Sequence, residues 1–344
     1  MTALERGSVA ECLNTNAHEG SQKGQQMHHR ELRVHHCSLG SGIRPAPEFA
    51  KKGLAQFAVN VGTKCGHGCA YCSTGAMLRC HPSFKAAGES PFEHGYAIID
   101  PDMPDKVAAD AKRIRNRGMV QLCTTVDAWA PEAQELRLGR RCLEAILTEP
   151  GWTVRILTKN AAVAGDFDLI AKHRDRVLIG LSLTGTPDKE KALLAVEPNA
   201  SPIGSRMAAL GQAHKMGLRT YGMMCPLLPG IADAPEQLAE MVEFCKTVGA
   251  EEVFAEAVNA RGNGLILTEK ALRDAGFVAE ADSVGAMRKV KPWSVYVATL
   301  IKNTQSSMRR YRMIDGLKFL LYPKRLVASD RARIEDDGHG VVWL

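Results

Sequence analysis

The chain has 344 residues, 44 Lys and Arg against 38 Asp and Glu for a formal net charge of +6, and 45% apolar residues. This is the composition of a globular domain able to bury a core without staples, and it excludes collagen, coiled coils, disordered chains and small disulfide scaffolds. The first residues lack the apolar core of a signal peptide, and no run of about 18 apolar residues predicts a membrane span. The expectation is therefore a cytoplasmic chain without a membrane partner, in which the ten cysteines serve metal or redox chemistry rather than disulfides.

Residues 1–50 are rich in Gly, Ser, Gln, Asn and His, lack apolar periodicity as far as Leu32, and read as a largely disordered tail. Within them His28, His29, His35, His36 and Cys37 form a patch whose adjacent pairs lack the spacing of a closed zinc site. From residue 51, apolar β-rich runs alternate with helical patterns. Strands are predicted at Phe57–Val61, Val120–Val126, Val154–Thr158, Val177–Leu183, Arg219–Cys225 and Val253–Val258. Helices are predicted at Pro104–Arg117, Glu132–Leu147, Asp166–His173, Pro202–Met216 and Pro235–Val248, several opening on Pro or an acid as first turns favour. Such alternation requires a parallel sheet with right-handed crossovers and places functional residues at the C-terminal ends of the strands. A six-unit partial barrel and an open doubly wound sheet both satisfy it over 51–260.

Residues 261–344 read as a basic extension over or beside the mouth of that core. Arg288 to Arg325 holds ten basic residues against the single acid Asp315. This is either a polyanion-binding face or the solvated side of a helix such as Val295–Met308, with Trp293 and Tyr311 available for base stacking or for the core.

The first strand is followed by Asn60-Val-Gly-Thr-Lys-Cys65-Gly-His-Gly-Cys69-Ala-Tyr-Cys72-Ser73, a C-x3-C-x2-C triplet. Three thiolates this close serve one metal centre only if the backbone curls tightly, and Gly66 and Gly68 allow that. A closed zinc site or a fully protein-ligated cluster would need a fourth ligand, for which His67 and Cys80 are the nearby candidates. The preferred reading leaves one iron open for a small chelating ligand that accepts an electron.

The triplet and its place resemble the radical S-adenosylmethionine (SAM) superfamily, whose members carry it after the first strand of a partial (β/α)6 barrel. The resemblance implies that Cys65, Cys69 and Cys72 bind three irons of a [4Fe–4S] cluster while SAM binds the fourth. It further implies that reduction, by a donor such as flavodoxin or ferredoxin, cleaves SAM to methionine and a 5′-deoxyadenosyl radical that abstracts hydrogen from substrate. Tyr71 looks like the aromatic usual before the third cysteine, packing near the adenine.

Over about residues 57–258 the chain is most similar to the spore photoproduct lyase-like, or DNA repair photolyase-like, group. The segments that carry this are Val126-Asp127-Ala-Trp-Ala-Pro131-Glu132, Leu157-Thr158-Lys159-Asn160, Glu197-Pro198 with Arg206, and Cys225-Pro226-Leu-Leu-Pro229-Gly230. Lys159 ends the third strand, where it would meet a SAM carboxylate. Ser182 and Thr184 end the fourth and offer hydroxyls to SAM or to their own loop. Glu197 either contacts SAM or pairs with Arg206, the second being favoured. In spore photoproduct lyases a further cysteine after the second strand returns a hydrogen atom to the product radical; Cys123, followed by Thr124, takes that position, with Cys225 a second candidate. The chain departs from the group at Thr125, where an Asp is usual, at Ser73 in place of Tyr, and at Gly165 in place of Arg.

The expectation is thus a radical SAM enzyme acting on a nucleic-acid lesion. The rivals are a radical SAM enzyme for a peptide or small metabolite, and a non-catalytic iron–sulfur or zinc nucleic-acid-binding module with Cys80 as fourth ligand. The sequence sets no oligomeric state.

Overall fold

A computed structural model describes residues 32–344; the tail residues 1–31, with His28 and His29, lie outside the described residues. The described strands are β1 (Arg33–His36), β2 (Arg44–Pro45), β3 (Phe57–Val59), β4 (Gly62–Lys64), β5 (Tyr96–Ile99), β6 (Met119–Leu122), β7 (Thr153–Thr158), β8 (Val177–Leu181), β9 (Arg219–Thr220), β10 (Gly222–Leu227), β11 (Val253–Ala257), β12 (Leu317–Leu321) and β13 (Val341–Trp343). The order β3-β6-β7-β8-β9 is parallel throughout. A parallel bridge between Ser182 and Met223 links β8 to β10, and from there the order β10-β11-β12-β13 is again parallel. Every side chain of β8 is buried, the continuous apolar run expected of a strand covered on both faces.

The six predicted strands and the partial barrel are borne out, with the predicted strand Arg219–Cys225 divided into β9 and β10. The C-terminal quarter differs from an appended extension. After β11 the chain runs through helices Gly264–Asp274, Val278–Ala286 and Val290–Arg310 and then supplies β12 and, after helix Ala328–Asp336, β13. These strands add two more parallel members to the same sheet. The sequence signal failed here because Leu317–Leu321 is a five-residue run inside a strongly basic stretch, so charge masked the period of a buried strand.

The tail reading is corrected for residues 33–50. β1 pairs in parallel with β5, which pairs with β4 in a small side sheet, so His35 and His36 are strand residues. β2 runs antiparallel to β3 and leads into helix Pro47–Lys51. Phe49 and Leu54, on either side of the end of that helix, pack against Leu178, Tyr221, Met223, Phe254 and Leu320 inside the barrel. Short two- to four-residue strands carry too little period to be seen in sequence.

A charged plug fills the N-terminal end of the barrel. Arg155 on β7 is only 4% exposed; it donates from Nε to the Leu54 carbonyl (3.0 Å), pairs with Glu252 (2.5 Å) and lies over the rings of Tyr221 and Phe254. Buried guanidinium is tolerated only when paired and hydrogen-bonded in this way. All nine described cysteines are free, and no described helix is long and apolar enough to cross a membrane.

If β12 is part of the barrel, replacing its fully buried Phe319 should cost the whole core about 3–5 kcal/mol. Urea denaturation of Phe319→Ala is expected to show one cooperative transition at a lower midpoint; an unshifted main transition would mean the segment folds apart from the barrel.

Candidate functional site

The C-terminal ends of the strands open into a cavity of about 340 Å³. Cys65, Cys69 and Cys72, on the loop after β4, all line it, as do Tyr71, Cys123, Lys159 and Ser182. Helix Pro47–Lys51 and its exit contribute Phe49, Lys52 and Leu54, and the opposite wall carries Cys225, Glu256 and Tyr322. The sequence therefore selected most of one wall.

Two buried networks hold the cysteine loop. In the first, the ring of His67, 2% exposed, stands between Asp127 (Nε2 to Oδ2, 2.8 Å) and the Asn199 carbonyl (Nδ1 to O, 3.0 Å). Both acceptors face ring nitrogens, so both nitrogens donate and the ring is an imidazolium. Burial opposes that charge, but Asp127 and the Asn199 carbonyl raise the His67 pKa above its ordinary value. Burial likewise works against the Asp127 carboxylate, and His67 with the backbone N–H groups of Lys159 and Trp129 keeps its pKa below the ordinary value. The Thr158 hydroxyl donates to the same carboxylate (2.8 Å). Gly66 completes the clasp: its N–H donates to Glu132 (2.9 Å) and its carbonyl accepts from Asn199 Nδ2 (2.7 Å). A Cβ on Gly66 would lie 2.4 Å from the tip of the Leu32 side chain and 2.6 Å from a Glu132 carboxylate oxygen, so a side chain there would displace both; Gly68, with φ +66°, is where left-handed backbone is required.

The second network centres on Glu197, which is fully buried. Its carboxylate accepts from the Tyr71 hydroxyl, from Arg206 Nη2 and, at 3.3 Å, from Thr184 Oγ1. Lys159 Nζ stands 3.1 Å from the same group but is not aligned for a hydrogen bond and has no other hydrogen-bond partner. Burial would raise the Glu197 pKa; Lys159 and Arg206 outweigh it and hold the carboxyl down at about 2.

These contacts sort the sequence-predicted residues. Glu197 pairs with Arg206 as favoured. Thr184 is enclosed, donating to Glu197 and accepting from Arg206 Nη1 (3.3 Å), and does not line the cavity; the arginine beside it claims its hydroxyl. Ser182 does line the cavity, its carbonyl taken by Arg206 (3.2 Å). Cys80 is exposed and away from the cavity, and His67 is committed to Asp127, so neither is placed to be a fourth ligand. Asn259 and Arg261, on the segment after β11, reach the cavity, and no residue of the segment 79–96 does.

Glu256, Lys52 and Tyr322 were missed. Glu256 was detectable as the one acid inside the otherwise apolar run Val253–Val258, because an acid ending a barrel strand points into the mouth; Lys52 and Tyr322 carried no such signal. Cys225 Sγ lies 3.7 Å from Glu256, and burial raises the pKa of both groups.

The donor set suits an iron–sulfur cluster. Cys65, Cys69 and Cys72 sit on one short loop and line one cavity, and a cluster takes each of three such thiolates on a different iron. Burial pushes the Cys69 thiol up to about 12 and raises Cys65 well above the ordinary range, so ionising them in place requires a cationic partner such as iron.

No family model matches the chain. It is 24% identical over 220 residues to an uncharacterized protein, ORF301, of Acidianus two-tailed virus, covering 63% of this chain and 71% of that one. It is 23% identical over 190 residues to the uncharacterized protein MJ0683 of Methanocaldococcus jannaschii, covering 55% and 67%. Among solved structures, a tyrosine-to-phenylalanine variant of spore photoproduct lyase superposes with a TM-score of 0.54 at 14% identity, over 82% of this chain and 80% of that one. A cysteine-to-serine variant of spore photoproduct lyase gives 0.50 at 17% identity, over 70% and 66%. The chain has a spore photoproduct lyase-like fold.

Replacing Glu197 by Gln would leave Arg206 buried without its counter-charge, which costs about 3–5 kcal/mol. Because the folded-state pKa of Glu197 is depressed, its contribution in wild type is complete above the ordinary carboxyl range and is lost as pH falls towards about 2. Denaturation from pH 7 to pH 3 should show the gap between wild type and Glu197→Gln narrowing with acid; a constant gap would rule out that ion pair as the cause.

Proposed function

We propose that this chain is a radical SAM enzyme of the reducing cytoplasm that abstracts hydrogen from a nucleic-acid lesion. The observation that carries the reading is that Cys65, Cys69 and Cys72 share one barrel-mouth cavity with Tyr71, Lys159, Ser182 and Cys123. A [4Fe–4S] cluster on the three cysteines, with SAM bound and an electron from a flavodoxin- or ferredoxin-like donor, supplies a 5′-deoxyadenosyl radical.

The chain's own residues do the rest. Lys159, held beside Glu197 without an aligned hydrogen bond, keeps donors free for a carboxylate, the group an amino-acid moiety presents. Tyr71, its hydroxyl tied to Glu197, offers a fixed aromatic face to a planar ring. Ser182 supplies a hydroxyl at the wall. Phe49, Leu54, Met223 and Leu320 exclude water from the same space.

Cys123 is the proposed hydrogen-atom donor. It is 2% exposed and lines the cavity. Burial raises its pKa well above the ordinary thiol value, so it stays S–H at neutral pH. A hydrogen-atom donor must keep that hydrogen, whereas a nucleophilic cysteine is held as thiolate.

Support for a nucleic-acid substrate comes from the fold and from the basic segment 288–325, weighed after subtracting its internal pairs. Arg288 pairs with Glu269, Arg309 with Asp337 and Lys318 with Glu252. Lys289, Lys291, Lys302, Arg310, Arg312 and Lys324 have no acidic partner among the described residues and remain available to phosphates.

The test is anaerobic reconstitution, reduction with dithionite and addition of SAM with or without UV-irradiated DNA. Wild type should form 5′-deoxyadenosine, and Cys69→Ala should form none and lose the cluster's visible absorbance. Cys123→Ala should still form 5′-deoxyadenosine while repaired DNA falls to background. No 5′-deoxyadenosine from cluster-replete wild type with DNA present would refute the reading.

A further inference from the structure

We infer that a second chamber beside the thiol-lined cavity binds one nucleotide unit of the substrate, its base against Trp293 and its phosphate on the cations at the chamber's edge. The inference rests on the reading of the substrate as a nucleic acid and adds where its neighbouring nucleotide sits.

The chamber has a volume of about 370 Å³, within the range of about 300–1,000 Å³ common to small-ligand sites. Ala257, Asn259, Arg261, Leu320 and Tyr322 line both spaces, so the two adjoin, as a substrate reaching from Cys123 into the second chamber requires. Its far wall comes from Trp293 and Val297 on helix Val290–Arg310 and from Phe319 on β12. Three cations, Arg261, Lys324 and Arg325, line it, and no acid does.

Two buried donors there have no acceptor. Trp293 is 6% exposed and its indole N–H lacks a partner. Arg325 Nε also lacks one, although Nη2 of the same side chain is fixed by the carbonyls of Met287 (3.3 Å) and Arg288 (2.8 Å). The guanidinium carbon so positioned lies 5.6 Å from the Trp293 ring centroid. Buried donors left unmade are costly, and an acceptor-rich ligand removes that cost. A neutral ligand would leave three cations unmatched, and a bare inorganic anion would leave the aromatic wall unused. A planar heterocycle joined to a phosphate uses both, by stacking on an aromatic with a basic group beside it.

The experiment is calorimetric binding of the thymidine dinucleotide to the cluster-loaded, SAM-bound protein, with and without a 5′-phosphate and against inorganic phosphate alone. Wild type should bind the phosphorylated dinucleotide about tenfold more tightly than the unphosphorylated one. Arg325→Gln should erase that preference, and Trp293→Leu should weaken both dinucleotides about tenfold. Because Trp293 is also core, iron content and circular dichroism check its fold, and Lys324→Gln, at an exposed position, gives a second variant that should reduce the phosphate preference. Equal binding by wild type, Arg325→Gln and Lys324→Gln, or inorganic phosphate competing as well as the dinucleotide, would overturn the site. 5′-Deoxyadenosine formation separates the two failures: turnover without phosphate preference defeats this chamber alone, whereas preference without turnover upholds the chamber and defeats the radical reading.

Discussion

No disulfide braces the loop bearing Cys65, Cys69 and Cys72, and its shape depends on charges buried on either side of it. His67 fastens one end to Asp127 and to the Asn199 carbonyl, and Tyr71 fastens the other to Glu197. Both carboxylates come from elsewhere in the chain, Asp127 from the loop after β6 and Glu197 from the segment before helix Ile203–Lys215. The geometry of the three thiols is therefore set by the barrel as a whole. Such pairs add little net stability, since desolvation offsets much of the attraction, but breaking one strands the other charge. What they contribute here is position.

That dependence explains which residues the sequence disclosed. The cysteine triplet was legible because ligand spacing is local, and the six strands were legible because a buried parallel strand reads as a largely apolar run. Glu197 with Arg206 was legible as a motif. The clasp through His67 and Asp127 was not, since it joins residues 60 positions apart and nothing local to either one shows that they meet. Thr184 shows the converse error: a hydroxyl at a strand end reads as a ligand contact until the arginine that claims it is seen. The side sheet and β13 were too short for a period, and β12 was hidden by the lysines and arginines around it.

Charge in the C-terminal quarter also means something different in three dimensions. Counted along the chain, residues 288–325 hold ten bases and one acid. Folded, Glu269, Glu252 and Asp337 supply partners that lie outside that window, and Arg325 is turned inward onto backbone carbonyls. The remaining field is smaller than the linear count and is carried by side chains with nothing else to bind, which is the part that attracts a polyanion at a distance.

The mouth of the barrel is divided by strand order. The first half of the ring, from the loop after β4 to β8, brings the three cysteines, Cys123, Lys159 and Ser182 to the cavity; the second half, from β10 to β12 and its exit, brings Cys225, Glu256, Asn259, Arg261 and Tyr322. The two clasps that hold the cysteine loop come from that first half and from the segment between β8 and β9, and take no residue from the second half. Substitutions in the second half can therefore reshape what enters the cavity without touching the charges that fix the thiols. This separation follows from the parallel sheet, which presents each strand's end to the same space while leaving each connecting segment to vary on its own. It also gives β12 its role: by extending the sheet past β11 it carries Leu320 and Tyr322 to the cavity, so the segment that looked like an appendage forms part of the cavity wall.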